Sequence, residues 1–365
     1  MMSMRRIHTL VGACAFYEFE DLVADLLGAD LSIVTHTDGL HVGRNIYRGV
    51  RYLTGSPAVA EAVRPGLGAV PLGKSYDVFL PFFNHPHELY ALNAIRGWRE
   101  RTRFAACYLC EAWDADLPRY LVELLHDFDH IFIGVRNSVE TIAKIVKRPV
   151  TYLPMGIDTD RFCPRPGEEP PRFIDVCSVG RRSEITHQAL LQLAEQKNLF
   201  YHHDTFTMGG RTPISFRVAN HREHRGLLAN LLKRSRYFIA NRAWADRPYL
   251  TGGRDEVPAR FYEGAAGGAI MIGAAPRAPE FDEQFGWPDS VVPIEFNSPN
   301  IGDVIAELDA NSERVARARH NNIKNALLKH DWVYRLLDML PVLDLASNER
   351  IEQRVEALRA RAGEL

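Results

Sequence analysis

Residues 248–276 read PYLTGGRDEVPARFYEGAAGGAIMIGAAP, and the order of residue types in this stretch carries the argument for the fold. A loop containing Gly252 and Gly253 runs into Asp255 and Glu256, then into Pro258. Proline suits a first helical turn because the first N–H groups of a helix have no partner within it. Arg260 and Glu263 follow, then the run Gly264, Ala265, Ala266, Gly267 and Gly268, then an apolar strand. Free N–H groups and the helix dipole at such a start favour an anion. The glycine and alanine run makes a poor isolated helix, so it implies close approach by a ligand or by neighbouring backbone. A tightly packed helix-to-strand junction accounts for the stretch equally well.

The rest of the chain fits an α/β fold. In the first half, apolar runs alternate with amphipathic segments, as βα units around a mostly parallel sheet require. Strands are predicted at 7–15, 31–36, 76–83, 103–109, 130–135 and 150–154, with helices at 18–27, 86–101, 117–127 and 138–147. Four prolines in GIDTDRFCPRPGEEPPRF break the pattern and mark a domain boundary near 160–172. Strands then restart at 173–180 and 236–241, with a last one at 290–296. Helices are predicted at 186–196, 224–235 and about 300–328. The organisation expected is a first domain at 1–165, a second at 166–340 and a charged helical tail at 341–365.

A chain of 365 residues exceeds the usual size of one hydrophobic core. Its 44 basic and 46 acidic residues nearly cancel, so no global field argues for nucleic acid, and an anion site has to be a local cluster. No apolar run reaches the roughly 18 residues needed to cross a bilayer. MMSMRRIHTLVGACAF superficially resembles a signal peptide, but YEFED and the helical pattern after it fit a first strand and helix better. A cytoplasmic protein is therefore expected. Arg44, Tyr47, Arg48, Arg51 and Tyr52 fit a solvated helix face, the preferred reading, while contact with an anionic acceptor or a membrane surface stays open.

Ligands of an open parallel sheet sit beyond the carboxyl ends of its strands. In the second half that rule selects Gly180, Arg181 and Arg182, which follow the strand FIDVCSVG. Guanidinium groups beside a helix start carry fixed positive potential suited to a diphosphate, although arginines after a strand are commonplace. Glu263, one turn into its helix, would repel a phosphate but suits sugar hydroxyls. In the first half the rule selects Glu111 and Asp114 near Trp113; a helix cap and a core tryptophan explain the last two as well. The histidine pairs His85/His87 and His202/His203 lack metal-ligand spacing, and Cys107 and Cys110 form a lone CxxC inside a strand, so no metal is expected.

These segments resemble glycosyltransferases of the GT-B type, in particular the group 1 superfamily with its E-x7-E motif and its spore-maturation-protein (CgeB)-like branch. VTYLPMGIDTDRFCP (150–164) is similar to the segment closing the first domain, and DVCSVGRRS (175–183) to the phosphate-binding strand and loop. RDEVPARFYEGAAGGAIMIG (254–273) resembles the E-x7-E region, and HDWVYRLLDML (330–340) the closing H-x-x-x-x-R element. The resemblance spans about 150–340. It implies two Rossmann-like domains facing a cleft, with a C-terminal helix crossing back to the first. It implies a nucleotide diphosphate sugar donor on the second domain and a hydroxylated acceptor (a glycan, a lipid-linked molecule or a small molecule) on the first. No cofactor is implied. By the same resemblance Glu263 takes the ribose and Arg181 the diphosphate, Arg260 a phosphate or the loop, and His187 or Arg182 stands where the family has lysine. Asp255 occupies the first acidic position, one carbon shorter than the usual Glu, with Glu256 its neighbour and rival. Glu111 and Asp114 fall near the acceptor, and Gly180 and Gly253 let backbone approach the donor.

Preorganised donors stabilise a departing diphosphate without a metal, so a metal-independent transfer is expected. Retention of configuration is expected by analogy with E-x7-E families. Two alternatives remain open: a sugar-nucleotide epimerase on the same scaffold, and a non-catalytic glycan- or nucleotide-binding protein descended from a transferase.

Overall fold

A computed structural model describes residues 1–36, 40–56, 59–60, 66–114, 117–205, 217–251 and 254–365. The chain divides into two compact units. Unit 1 comprises Met1–Pro154, Phe216–His221 and Arg335–Asn348; unit 2 comprises Met155–Ser215, Arg222–Tyr334 and Glu349–Leu365.

In unit 1, β1 (Met2–Ser3) pairs in parallel with β2 (Ser32–Ile33). A second parallel sheet has the order β3 (Tyr76–Phe79), β5 (Thr102–Leu109), β6 (His130–Ile133), β7 (Val150–Tyr152), and β4 (Phe82–Phe83) also pairs with β5. A bridge from Met2 to Pro81 joins β1 to the β3–β4 segment. Read across the sheet, the strand order thus reverses between β1 and that segment, which is the kind of point where ligands enter doubly wound folds. β5 reads as a continuous apolar run because Ala105, Ala106, Cys107, Tyr108 and Leu109 are all buried at the centre.

The predicted strand at 7–15 is not formed. Val11–Ala13 is a 3-10 turn that leads into the helix Cys14–Leu27. Phe16, Phe19, Val23 and Leu26 are buried along it at spacings of three and four, so the apolar run is the start of a helical stripe. A short apolar run is equally compatible with either element, and here the continuation decides. The first strand is instead Met2–Ser3. The helix predicted at 86–101 is likewise shorter: a 3-10 segment, Pro86–Ala94, followed by turns.

Unit 2 holds one parallel sheet of five strands, β8 (Ile174–Ser178), β9 (Tyr201–His203), β10 (Ser235–Ile239), β11 (Ile270–Gly273) and β12 (Val292–Pro293). Their order is β12-β11-β10-β8-β9, so the sequence order reverses between β8 and β10. The helix Ala259–Gly267 leads from β10 to β11, so it starts at the carboxyl edge of the sheet. Its small residues serve packing within the protein. A side chain at Gly264 would fall 2.7 Å from Met271 Sδ, and one at Gly267 would fall 2.7 Å from Leu232 Cβ.

The element HDWVYR braces unit 2. Asp331, wholly buried, accepts hydrogen bonds from the Thr159 N–H at 3.0 Å, the Val333 N–H at 2.9 Å and Arg354 Nη2 at 2.8 Å. Burial alone would raise the pKa of this carboxyl; Arg354 and Thr159 outweigh it and hold the group below its ordinary range.

Candidate functional site

The carboxyl ends of β8 and β10 define the reversal point of unit 2. After β8 the backbone turns at Gly180 with φ +77°, a conformation that glycine adopts without strain. Arg181, exposed, lays its guanidinium 3.4 Å from the ring centroid of Trp244, which follows β10. Arg260, in the first turn of the helix Ala259–Gly267, donates from Nη1 to the Arg181 carbonyl at 3.2 Å. The helix start and the β8 loop therefore meet at one edge, with β10 between their strands. Burial is the main influence pushing the Arg260 pKa down; Glu263 opposes it, and the neighbouring charge of Arg181 adds to it. Arg260 thus reaches the main chain of the loop that carries Arg181, and the two positive charges share one neighbourhood, which favours an anion there.

One acid competes for the same place. The Gly180 N–H donates to Asp204 Oδ2 at 2.5 Å. An anion seated on this turn has to displace that carboxylate or bind beside it. His187 lies in the first turn of the helix Glu184–Lys197, capped by Ser183. Its Nδ1 sits 2.9 Å from the Tyr201 hydroxyl, and its ring meets His203 edge-on at 4.8 Å. Burial first, then Arg182 and His203, lower its pKa.

Glu263 is buried and bonded through Oε1 to Arg225 Nη1, itself buried with its guanidinium 4.4 Å from the Phe162 ring centroid. Nothing in the polar stretch HREHR (221–225) singles out Arg225 before its partner is placed. Asp255 lies in the loop before the helix. Its Oδ1 is 3.2 Å from Arg242 Nε, and its Oδ2 accepts the Arg277 N–H at 2.9 Å. Glu256 beside it is buried. Gly253 lies outside the described residues.

At the reversal point of unit 1, a cleft of about 190 Å³ is lined by Arg5, Arg6, Thr9, Tyr17, Asn220 and His221, among others. Its floor is a charged network that sequence reading missed, because the partners are far apart in the chain. Arg5 donates to Asp21 and Glu20, each at 2.8 Å, and His221 Nε2 lies 3.1 Å from Asp21 Oδ2. Tyr17 donates its hydroxyl proton to the His8 carbonyl at 2.5 Å. His8 Nδ1 is 3.0 Å from Oε1 of Glu88, whose Oε2 accepts the Asn84 N–H at 2.9 Å. Burial pushes Glu88 up to about 8 and Glu20 to about 7, the latter against the pull of Arg5. Burial first, then His85, Arg44 and Arg217, push His8 down to about 4.

Glu111 follows β5, and its N–H donates to the Asn84 carbonyl at 2.8 Å. The Asp114 N–H donates to Ser138 Oγ at 3.1 Å, and Trp113 is buried. Both acids thus lie beyond the carboxyl end of β5, outside the lining of the cleft. His85 and His87 stack on each other at 4.8 Å. Asp-x-Asp spacings, which metal-dependent transferases use, do occur in the chain, at Asp114/Asp116, Asp127/Asp129 and Asp158/Asp160. Asp129 is bonded to Arg99 at 2.9 Å, and Asp158 and Asp160 to Arg354 at 2.8 and 3.0 Å; Asp116 lies outside the described residues.

The two α/β units with reversal points of this kind give a fold of the GT-B glycosyltransferase type. HepE of Anabaena, solved with UDP-glucose, shares it at a TM-score of 0.52 and 10% identity, over 94% of this chain and 98% of that one. HepE solved with UDP and glucose gives 0.51 at 9% identity over the same shares. TarM aligns at 0.45 and 10% identity over 73% of this chain, which spans 54% of TarM's length. No family model and no curated protein sequence matches the chain.

Proposed function

We propose that the protein is a glycosyltransferase that takes a sugar from a nucleotide diphosphate donor held by unit 2 and passes it to a hydroxylated acceptor held by unit 1. The observation that carries this reading is the edge of unit 2, where Arg181 and Arg260 gather positive charge beside the turn at Gly180, at the reversal point between β8 and β10. A departing diphosphate needs preorganised positive charge, and guanidinium groups supply it in the ground state without reorganisation. Trp244, already under Arg181, offers a flat face for the base or the sugar. The likeness of fold to HepE, solved with UDP-glucose, supports the donor class.

In this reading Arg181 and Arg260 hold the diphosphate, Arg182 flanks it from the same loop and His187 from the helix that follows. Glu263 accepts from the ribose through whatever capacity its bond to Arg225 leaves, and Asp255 faces the sugar only if it leaves Arg242. Metal independence, retention and membership of the CgeB-like branch belong to the same proposal and rest on the resemblance of 150–340. On the first unit, the cleft at Arg5, Arg6 and Tyr17 takes the acceptor, since its mixed donors and aromatic face suit a polyhydroxylated molecule.

Thermal shift with UDP, GDP, dTDP and CDP, followed by hydrolysis of the matching nucleotide sugars, tests the reading. One nucleotide should stabilise the protein, and Arg181→Ala should weaken that nucleotide about tenfold or more while leaving the nucleoside little changed. No shift with any of the four nucleotides, or equal losses for nucleotide and nucleoside, would refute it. Release of an isomeric sugar would identify an epimerase instead, and EDTA should leave transfer unchanged.

A further inference from the structure

The acids that floor the cleft of unit 1 are answered within the protein, while part of the positive charge around it is not. Asp21 is bonded to Arg5 and lies 3.1 Å from His221 Nε2, and Glu20 accepts from Arg5 and Ser3. Glu88 has His8 at 3.0 Å. Arg6, which lines the same cleft, is exposed and pairs with no carboxylate among the described residues. Arg217 stands in the same condition at the margin. Its segment pairs with the loop after β1, where Leu10 bridges Arg217 and the Val218 N–H donates to the Thr9 carbonyl at 2.8 Å. Thr9 and Val218 line the cleft, so their pairing carries the exposed Arg217 to its edge.

Arg44 arrives from the helix Leu40–Thr54. Tyr47 and Arg51 of that helix are buried, so the face expected to be solvated turns inward there, and spacings of three and seven residues put Arg44 on the same side. Arg51 is bonded to Glu123, whereas Arg44 meets no acid among the described residues. The charges of Arg44 and Arg217 both bear on His8, whose pKa falls first through burial, then through His85, Arg44 and Arg217. A concave site focuses the field of the charges around it, and these arginines make that field positive. Guanidinium groups match phosphate and carboxylate oxygens better than they match neutral hydroxyls. We propose that the acceptor carries an anionic group, a phosphate ester or a carboxylate, which Arg6 binds in the cleft while Arg217 and Arg44 draw it there. This rests on the cleft being the acceptor site, and it narrows the hydroxylated acceptor to an anionic one.

The test is a ligand-observed NMR titration of the full chain with glucose, glucuronate and glucose 6-phosphate, which differ in one group. At least one of the two anions should bind about tenfold or more tighter than glucose, and Arg6→Gln should bring it close to glucose. Arg217→Gln and Arg44→Gln should each weaken that anion about threefold, and raising salt from about 0.1 M to about 1 M should weaken it further. Arg6→Gln and Arg217→Gln should keep the wild-type melting temperature, because both side chains are exposed. Anions also suit the donor edge, so each titration is repeated on Arg181→Ala, where the preference should persist. Tighter glucuronate would identify a carboxylate, and tighter glucose 6-phosphate a phosphate ester; either supports the proposal. Equal binding of the three sugars, binding of none, or a preference lost in Arg181→Ala but kept in Arg6→Gln would overturn it. Nucleotide binding is read separately. Its absence would sink the transferase reading and leave the anion site standing, while loss of the anion preference would leave the donor reading intact.

Discussion

Replacing Glu88 by Gln should change how stability depends on pH, by an amount set by the pair Glu88 and His8. In the folded protein burial holds Glu88 near 8 and His8 near 4, against ordinary values of 4.5 and 6.5. The folded pair therefore keeps one proton between about pH 4 and 8, whichever partner carries it. The unfolded pair loses its last proton near 6.5. Glu88 has a raised pKa, so its contribution is fully present below 4.5 and is lost as pH rises towards 8. His8 has a depressed pKa, so its contribution is present above 6.5 and is lost as pH falls towards 4. Between 4.5 and 6.5 the two slopes oppose each other and cancel; above 6.5 only the loss from Glu88 remains.

The size follows from the linkage relation. At about 1.4 kcal/mol per pH unit and per proton, the 1.5 units from about pH 6.5 to about pH 8, with Glu88 half ionised at the end, give a loss of about 1.5 kcal/mol. Glu20, pushed up to about 7, adds a smaller loss in the same window, common to wild type and variant. Urea unfolding at the two pH values, for both proteins, measures the difference. Wild type should lose about 1.5 kcal/mol more than Glu88→Gln between them. Equal losses would mean that the pair sheds its proton near 6.5 in the folded state too, and the reading of a proton-holding buried pair would fail.

Two further outcomes bear on unit 2. Glu263→Gln removes the carboxylate charge that faces the buried Arg225 and should cost about 3 to 5 kcal/mol, while the double variant Arg225→Met/Glu263→Gln should recover much of that loss in a denaturation cycle. An additive double variant would show that the two side chains do not depend on each other. Asp204→Ala frees the Gly180 N–H and removes a negative charge from the turn, so it should tighten UDP or its counterpart several-fold in calorimetry; weaker binding would place the diphosphate elsewhere.

Much of the second unit was legible because each of its signals is local. A strand ending in Val179-Gly180, two arginines after it, and a proline before Arg260 each report on their own few residues. The small residues 264–267 were legible as close approach, but not as approach to Met271 and Leu232, since that depends on how the helix seats on the sheet. Unit 1 was harder for the same reason. β1 is two residues long and owes its existence to Ser32 and Ile33, so nothing within 1–15 distinguished it from the longer apolar run that became a helix. His8 and Glu88 meet only once β1 lies beside Pro81, and Tyr17 and His221 only once residues 217–218 pair with Thr9 and Leu10. Trp244 has a left-handed φ of 52°, and no residue near it in the sequence signals that turn.

The partners of the acids refine what the stretch 248–276 does. Glu263 is held by Arg225, Asp255 by Arg242 and the Arg277 N–H, and Asp204 by the Gly180 N–H. These three carboxylates are thus drawn to protein donors. That arrangement reduces the repulsion a diphosphate would meet, and it leaves Arg181, resting on an aromatic ring, beside Arg260 as the local source of positive potential. It also separates Asp255 and Glu263 physically. Glu263 is fixed by a buried ion pair whose loss is costly, so any bond it makes to a ribose is added to a rigid group. Asp255 is tied to a partly exposed arginine and one amide, bonds cheap enough to exchange for a sugar hydroxyl. Of the two, the shorter side chain is the one with the weaker ties to the protein.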